Sequence, residues 1–173
     1  ERVGPLSELL YKGNVPGCFC PYCVERNSKL GIDPDRAKKG YLGLYRLIRE
    51  IASGQKPVHG TLTTVLHHLQ KYHEMLAWNY QWFQADEEIQ KMLYQAIKSW
   101  QPDAEVGRHI DHQRSSWDLF YRSAVPYSEM AEYADFIKPI LYHDIYGPRL
   151  KHWVIGEWKK HLFNDMDEAL ILD

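Results

Sequence analysis

Three cysteines, Cys18, Cys20 and Cys23, crowd into the stretch GNVPGCFCPYCVERN, and the chain holds no others. A C-x-C-x-x-C spacing brings three thiols onto one tight loop and the helical turn after it. Any fold for this chain must hold that segment bent, with polarisable sulfur atoms side by side.

Three chemistries use cysteines at close spacing. A disulfide framework pairs its thiols, and an odd count leaves one over; nothing else here has the look of a small secreted scaffold. Thiol redox chemistry is the second. Cys20-Pro21-Tyr22-Cys23 resembles the C-P-Y-C of glutaredoxins letter for letter, but that chemistry wants a strand feeding the motif, whereas KGNVPGCF is rich in turn formers. The third is a metal site. Three soft ligands on a loop and a helical turn suit tetrahedral zinc, with a fourth ligand brought from elsewhere, such as His59 or His73, or from sequence beyond this chain. Zinc is the favoured reading of the three.

The chain has 173 residues, of which 45% are hydrophobic and 25% charged, enough for one real core. A formal charge of −2 points away from nucleic acid and from acidic membrane surfaces. No apolar run approaches the roughly 20 residues of a membrane span, and no signal-peptide pattern opens the chain. The 6 Trp, 12 Tyr, 5 Phe and 9 His belong mostly to packing. With little net charge, they also suit a polar, uncharged ligand such as a sugar.

Along the chain, residues 1–31 read as a Cys-rich loop and a short helix from Pro21 to about Lys29. Residues 32–101 read as helical. Asp33 is a candidate N-cap with Pro34 at the first helical position. Leu44, Leu47, Ile48 and Ile51 form an apolar stripe that Gly54 ends, and Gly40 and Gly43 inside this helix imply close packing. SGQKPVHG is a loop, Thr61 to about Tyr72 a helix, and Ala77 to Trp100 a longer one stopped by Pro102. Residues 102–173 alternate. DAEVGRHIDH and ADFIKPILYHD are strand candidates, Ser128–Tyr133 a short helix, and GPRLKHWVIGEWKKHLF a further helix.

Helices between short strands predict an α/β chain with a small parallel sheet. A complete (β/α)8 barrel takes roughly 250 residues, so the chain is either a small helix-dominated fold or part of a barrel. The expectation is the second: a single helix-rich segment of a TIM barrel with few parallel strands.

The stretch GCFCPYCVERNSKLGIDPDRAKKGYL at Gly17 to Leu42 resembles a motif that follows a mid-barrel strand in a group of bacterial TIM-barrel proteins of the glycoside-hydrolase type. WNYQWFQADEEIQ, PDAEVGRHIDHQRSSWD and YADFIKPILYH are similar to the next helix and two strands of that group. A more distant similarity is to zinc-containing bacterial β-galactosidases, whose C-x-C-x-x-C cluster is completed by a cysteine earlier in the sequence. The resemblance implies that Cys18, Cys20 and Cys23 hold a structural zinc that ties down a loop and does no chemistry. It implies a bacterial protein, cytoplasmic or exported, acting on glycosidic bonds of oligo- or polysaccharides.

Such hydrolysis needs two carboxylates flanking the scissile bond, carried in a barrel at the C-terminal ends of strands or in the loops after them. Here those ends read RHIDH and LYHD. Asp111 is the first candidate carboxylate, and His109, which alternation places on its face of the strand, is a substrate contact with His112, Tyr142 and His143. Trp117 is a candidate sugar-stacking platform. Glu8, read in the loop before the cysteines, is the second candidate, although Ser7-Glu8 stands where the β-galactosidases carry Asn-Glu. A non-catalytic carbohydrate-binding or scaffold barrel with a zinc loop is the alternative reading, and a thiol oxidoreductase using Cys20 and Cys23 is a further one.

Overall fold

The computed structural model describes residues 4–14, 17–111, 118–140 and 147–172. The chain divides into a helical unit, residues 5–79 with 143–173, and a strand-bearing unit, residues 80–142 with 1–4.

The helical unit begins with α1 (Pro5–Lys12), α2 (Pro21–Lys29), α3 (Pro34–Ala52) and α4 (Thr61–Lys71). In α1, Leu6, Leu9 and Leu10 recur at the spacing that lines one face of a helix, and all three are buried. Its start is tied by a hydrogen bond of 3.1 Å from the Leu6 backbone N–H to Asn79 Oδ1, which satisfies one of the open donors of a helix end. Glu8 therefore sits on a helix, not in a loop.

The α3 helix follows its sequence signals closely. Asp33 accepts from the backbone N–H groups of Asp35 and Arg36 at 2.9 and 3.0 Å. Tyr41, Leu44, Ile48 and Ile51 face inward at steps of three and four. Burying each such side chain contributes about 1.5–3 kcal/mol. A Cβ on Gly40 would stand 2.6 Å from Met75 Cγ and 2.7 Å from Tyr72 Cβ, so only glycine lets α3 approach the chain just past α4 this closely. The Gly40 carbonyl also meets His68 Nε2 at 2.8 Å. Burial of that imidazole lowers its pKa, which favours the neutral ring.

The α4 helix has no cap of its own, because Gly60 precedes it. Its open N–H at Thr61 is met instead by Asp165 Oδ2 at 2.9 Å, while Asn164 Nδ2 donates to the Ile51 carbonyl at 3.2 Å. Those residues follow α8 (Pro148–Lys151), a wider π-helical segment (His152–Trp158) and α9 (Lys159–His161). This stretch packs on α1: Trp158 stacks on Tyr11 with ring centres 4.7 Å apart, and His161 Nδ1 meets the Tyr11 carbonyl at 3.2 Å. Glu168–Leu172 closes the described chain as α10.

The α5 helix (Glu74–Trp100) runs from the helical unit into the strand-bearing one. There follow β1 (Gly107–Ile110), α6 (Leu119–Ala124), α7 (Tyr127–Met130) and β2 (Phe136–Pro139). The strands pair in parallel, with Gly107 opposite Phe136 and Ile110 opposite Pro139. Asp135 locks their entry. Its backbone N–H donates to the Val106 carbonyl and its carboxylate accepts from the Val106 N–H, both at 2.8 Å, while Lys98 Nζ of α5 lies 2.8 Å away. Phe83, Ile110, Tyr121, Val125, Met130 and Tyr133 form this unit's apolar core.

The expected partial TIM barrel is corrected by this architecture. Among the described residues β1 and β2 form one two-stranded sheet and helices make up most of the rest. The helical unit buries its apolar stripes helix against helix, so its described residues supply no strand to a cylinder. The parallel pairing itself is as the sequence implied. No described helix is long and apolar enough to cross a membrane.

Arg108 points from β1 into the core at 6% exposure, and its Nη2 reaches Glu87 Oε1 of α5 at 2.6 Å and Asp86 Oδ2 at 3.2 Å. The Tyr133 hydroxyl donates to the other Glu87 oxygen. Breaking a buried pair from one side leaves an uncompensated charge, which costs about 3–5 kcal/mol. Arg108→Met should therefore lower unfolding free energy in urea by that amount, and adding Glu87→Leu should recover most of the loss. A single variant as stable as the parent would show that the pair contributes nothing.

Candidate metal centre

The cysteine segment is shaped from both ends. Gly17 adopts φ +40°, and a Cβ there would stand 3.0 Å from Pro5 Cβ, so the turn into the segment needs glycine. Cys20, at φ −68° and ψ 162°, is the N-cap of α2, and Pro21 occupies its first turn. Pro is suited to that position because its missing N–H would have been unbonded anyway. Between Cys18 and Cys20, the half-buried Phe19 turns toward the core. It stacks on Trp78 with ring centres 4.5 Å apart and meets Tyr41 edge-on at 5.9 Å. Extended chain alternates its side chains, so seating Phe19 inward leaves Cys18 and Cys20 together on the opposite side. Asn27, 4% exposed, completes the frame by donating to the Cys23 carbonyl at 2.8 Å.

The three sulfur atoms all lie within 4.8 Å of one another. Four ligands placed tetrahedrally at the zinc–sulfur bond length stand about 3.8 Å apart, so small side-chain rotations suffice to grip one ion. An iron–sulfur cubane spreads its thiolates over separate irons, and sulfurs this close favour a single ion instead. Thiolate donors select zinc or another soft metal. The residues present fit the group the sequence implied.

Among the described residues, no histidine, cysteine or carboxylate joins this cluster as a fourth member. His59 is exposed, and the His73 side chain, 72% exposed, lies 3.7 Å from Glu74. Neither is the fourth ligand sought among the histidines.

The three thiols are not equivalent. Cys20 is exposed and its pKa is lowered to about 7, chiefly by the backbone N–H of Cys23 at the helix start and then by the thiols of Cys18 and Cys23. No side-chain capping hydrogen bond closes this helix end, so the lowering reflects the polarity of its N–H groups more than a formed cap. Cys23 is half-buried and pushed up to about 12, first by burial and then by the hydrogen bonds its thiol gives to Cys20 and Cys18. Cys20 thus surrenders its proton well before Cys23 does.

The other expected site residues are dispersed. Glu8 accepts from Lys12 Nζ at 3.0 Å and Asn14 Nδ2 at 2.7 Å, so its carboxylate is engaged within its own helix and the turn after it. His109 lies on the exposed face of β1, while Arg108 and Ile110 face inward, and Asp111 follows the strand half-buried. Glu8 belongs to the helical unit and Asp111 to the strand-bearing one. His112, Trp117, Tyr142 and His143 lie outside the described residues. Sequence reasoning missed Phe19 and Asn27 as supports of the site. The signals were an aromatic between two cysteines, and an asparagine inside a helix with no capping position to occupy.

No family model, curated protein or solved structure matches the chain.

In the reduced, metal-free protein, alkylation by iodoacetamide should show Cys20 reacting with a midpoint near pH 7 while Cys23 stays unmodified throughout the neutral range. Peptide mapping reads each thiol separately. Equal rates at all three would contradict the asymmetry.

Proposed function

We propose that the chain is a metal-thiolate protein in which Cys18, Cys20 and Cys23 hold a structural zinc ion that pins the segment between α1 and α2. The convergence of three sulfurs within 4.8 Å on a segment anchored by Phe19 carries this reading. The metal supplies cross-linking and no chemistry in this role. The fourth ligand comes from outside the described residues. Because thiolates bind and thiols do not, each proton held by Cys23 competes with the metal, and affinity falls as pH falls.

Reduced protein purified without chelator should carry one zinc per chain by elemental analysis. Replacing Cys23 with serine should weaken binding by at least about 100-fold, the upper end of what losing an outer-shell partner costs. Zinc content well below one per chain, or unaffected by Cys23→Ser, removes the proposal.

A thiol oxidoreductase is the second reading, favoured by an exposed Cys20 lowered to about 7 beside a Cys23 raised to about 12. This division of roles is the one thiol–disulfide exchange uses. Turnover in an insulin-reduction assay would support it, and tightly held zinc without turnover would dismiss it. Hydrolysis of glycosidic bonds rests on the family resemblance and on Asp111, which stands just past the C-terminal end of a parallel strand, where α/β sheets bind ligands. If the chain turns over aryl-glycosides, Asp111→Asn should abolish it; unchanged turnover takes that residue out of the site.

A further inference from the structure

Cys20 is the exposed member of the cluster, flanked by exposed Pro21 and Tyr22, so a small solute reaches its sulfur from solvent. Cys18 and Cys23 stand behind it, half-buried and within 4.8 Å. We propose that this centre is a peroxide-responsive modification site, in which Cys20 is oxidised first and a Cys20–Cys23 disulfide then expels the metal. The proposal rests on the zinc reading above.

The pairing follows from backbone geometry. A disulfide joins residues whose Cα atoms are about 4.4–6.8 Å apart, most often about 5.5–6 Å. Cys20 and Cys23 are the N-cap and third residue of α2, and residues three apart at a helix start lie about 5 Å apart. Cys18 and Cys20 flank one residue of open chain, whose extended form spans about 6.6 Å, at the limit of what a disulfide tolerates. Phe19, held between Trp78 and Tyr41, resists the contraction that Cys18–Cys20 pairing would need.

The chemistry balances with hydrogen peroxide as oxidant. The Cys20 thiolate attacks one peroxide oxygen, forming S–OH as the O–O bond breaks, and the departing hydroxide takes a proton to become water. The Cys23 sulfur then attacks the Cys20 sulfur, displacing hydroxide that leaves as a second water. Two electrons pass from the sulfurs to one peroxide. The metal loses two of its three cysteine ligands, and Cys18 is left as a free thiol.

The test uses the full chain, reduced and zinc-loaded, treated with one equivalent of peroxide. A chromogenic chelator reads zinc release, and intact mass with peptide mapping reads the thiols. The expected result is zinc release matched by loss of two hydrogen masses, with Cys20 linked to Cys23 and dithiothreitol restoring both mass and zinc binding. Cys18→Ser should still form that disulfide. Cys23→Ser should form none between these positions and should instead accumulate a sulfenic acid on Cys20 that dimedone traps. Zinc bound at the outset but retained after peroxide overturns the switch and leaves the metal reading intact. No zinc at the outset overturns both. A disulfide mapped to Cys18 and Cys20 overturns the assigned pairing.

Discussion

The seating of Phe19 against Trp78 and Tyr41 is the constraint on which the cysteine cluster depends. Loops of this length have many conformations, and nothing intrinsic to C-F-C-P-Y-C makes its sulfurs converge. Seating one large ring against core aromatics selects among them, because alternation in extended chain then decides where the neighbouring residues go. Gly17 permits the turn in, and Pro21 starts the helix on the way out. The contacts of Phe19 with two aromatic rings hold the arrangement and bring the thiols together. Such preorganisation lowers the ordering cost that a flexible ligand set would bear on binding.

The two units solve the burial of polar groups differently. In the helical unit, helix ends are satisfied by side chains from distant sequence: Asn79 serves α1 and Asp165 serves α4. In the strand-bearing unit, a buried guanidinium is neutralised by two carboxylates of α5, with Tyr133 holding one of them. Both devices meet the same requirement, that polar atoms removed from water find partners. Neither announces itself in a linear reading, since each partner lies far away in sequence.

Much of the helical unit was legible because local rules suffice there. Asp33-Pro34, the stripe through Leu44, Ile48 and Ile51, and the tight glycine at Gly40 all describe α3 as it stands. The parallel relation of GRHI and FIKP was also readable. The eight-residue α1 was missed because it is short and hemmed by Pro5 and Gly13, which read as punctuation. The barrel expectation failed because helix–strand alternation over residues 102–173 was extended to a frame that residues 5–79, packed helix on helix, do not build. The cysteine cluster was visible as spacing, but its supports were not. Spacing along a chain says which ligands can meet, whereas the stacking of Phe19 and the burial of Asn27 depend on partners that only the folded core supplies.

The capping of α4 by a residue 104 positions later bears on the order in which the protein takes shape during synthesis. Chains emerge N-terminus first, and a segment becomes secure only when its partners have left the ribosome. The leading turn of α4 must therefore wait, solvated and frayed, until the region around Asn164 and Asp165 arrives. A ribosome stalled before that point would present a nascent chain whose Thr61 amide is still open, an edge within reach of a chaperone or protease.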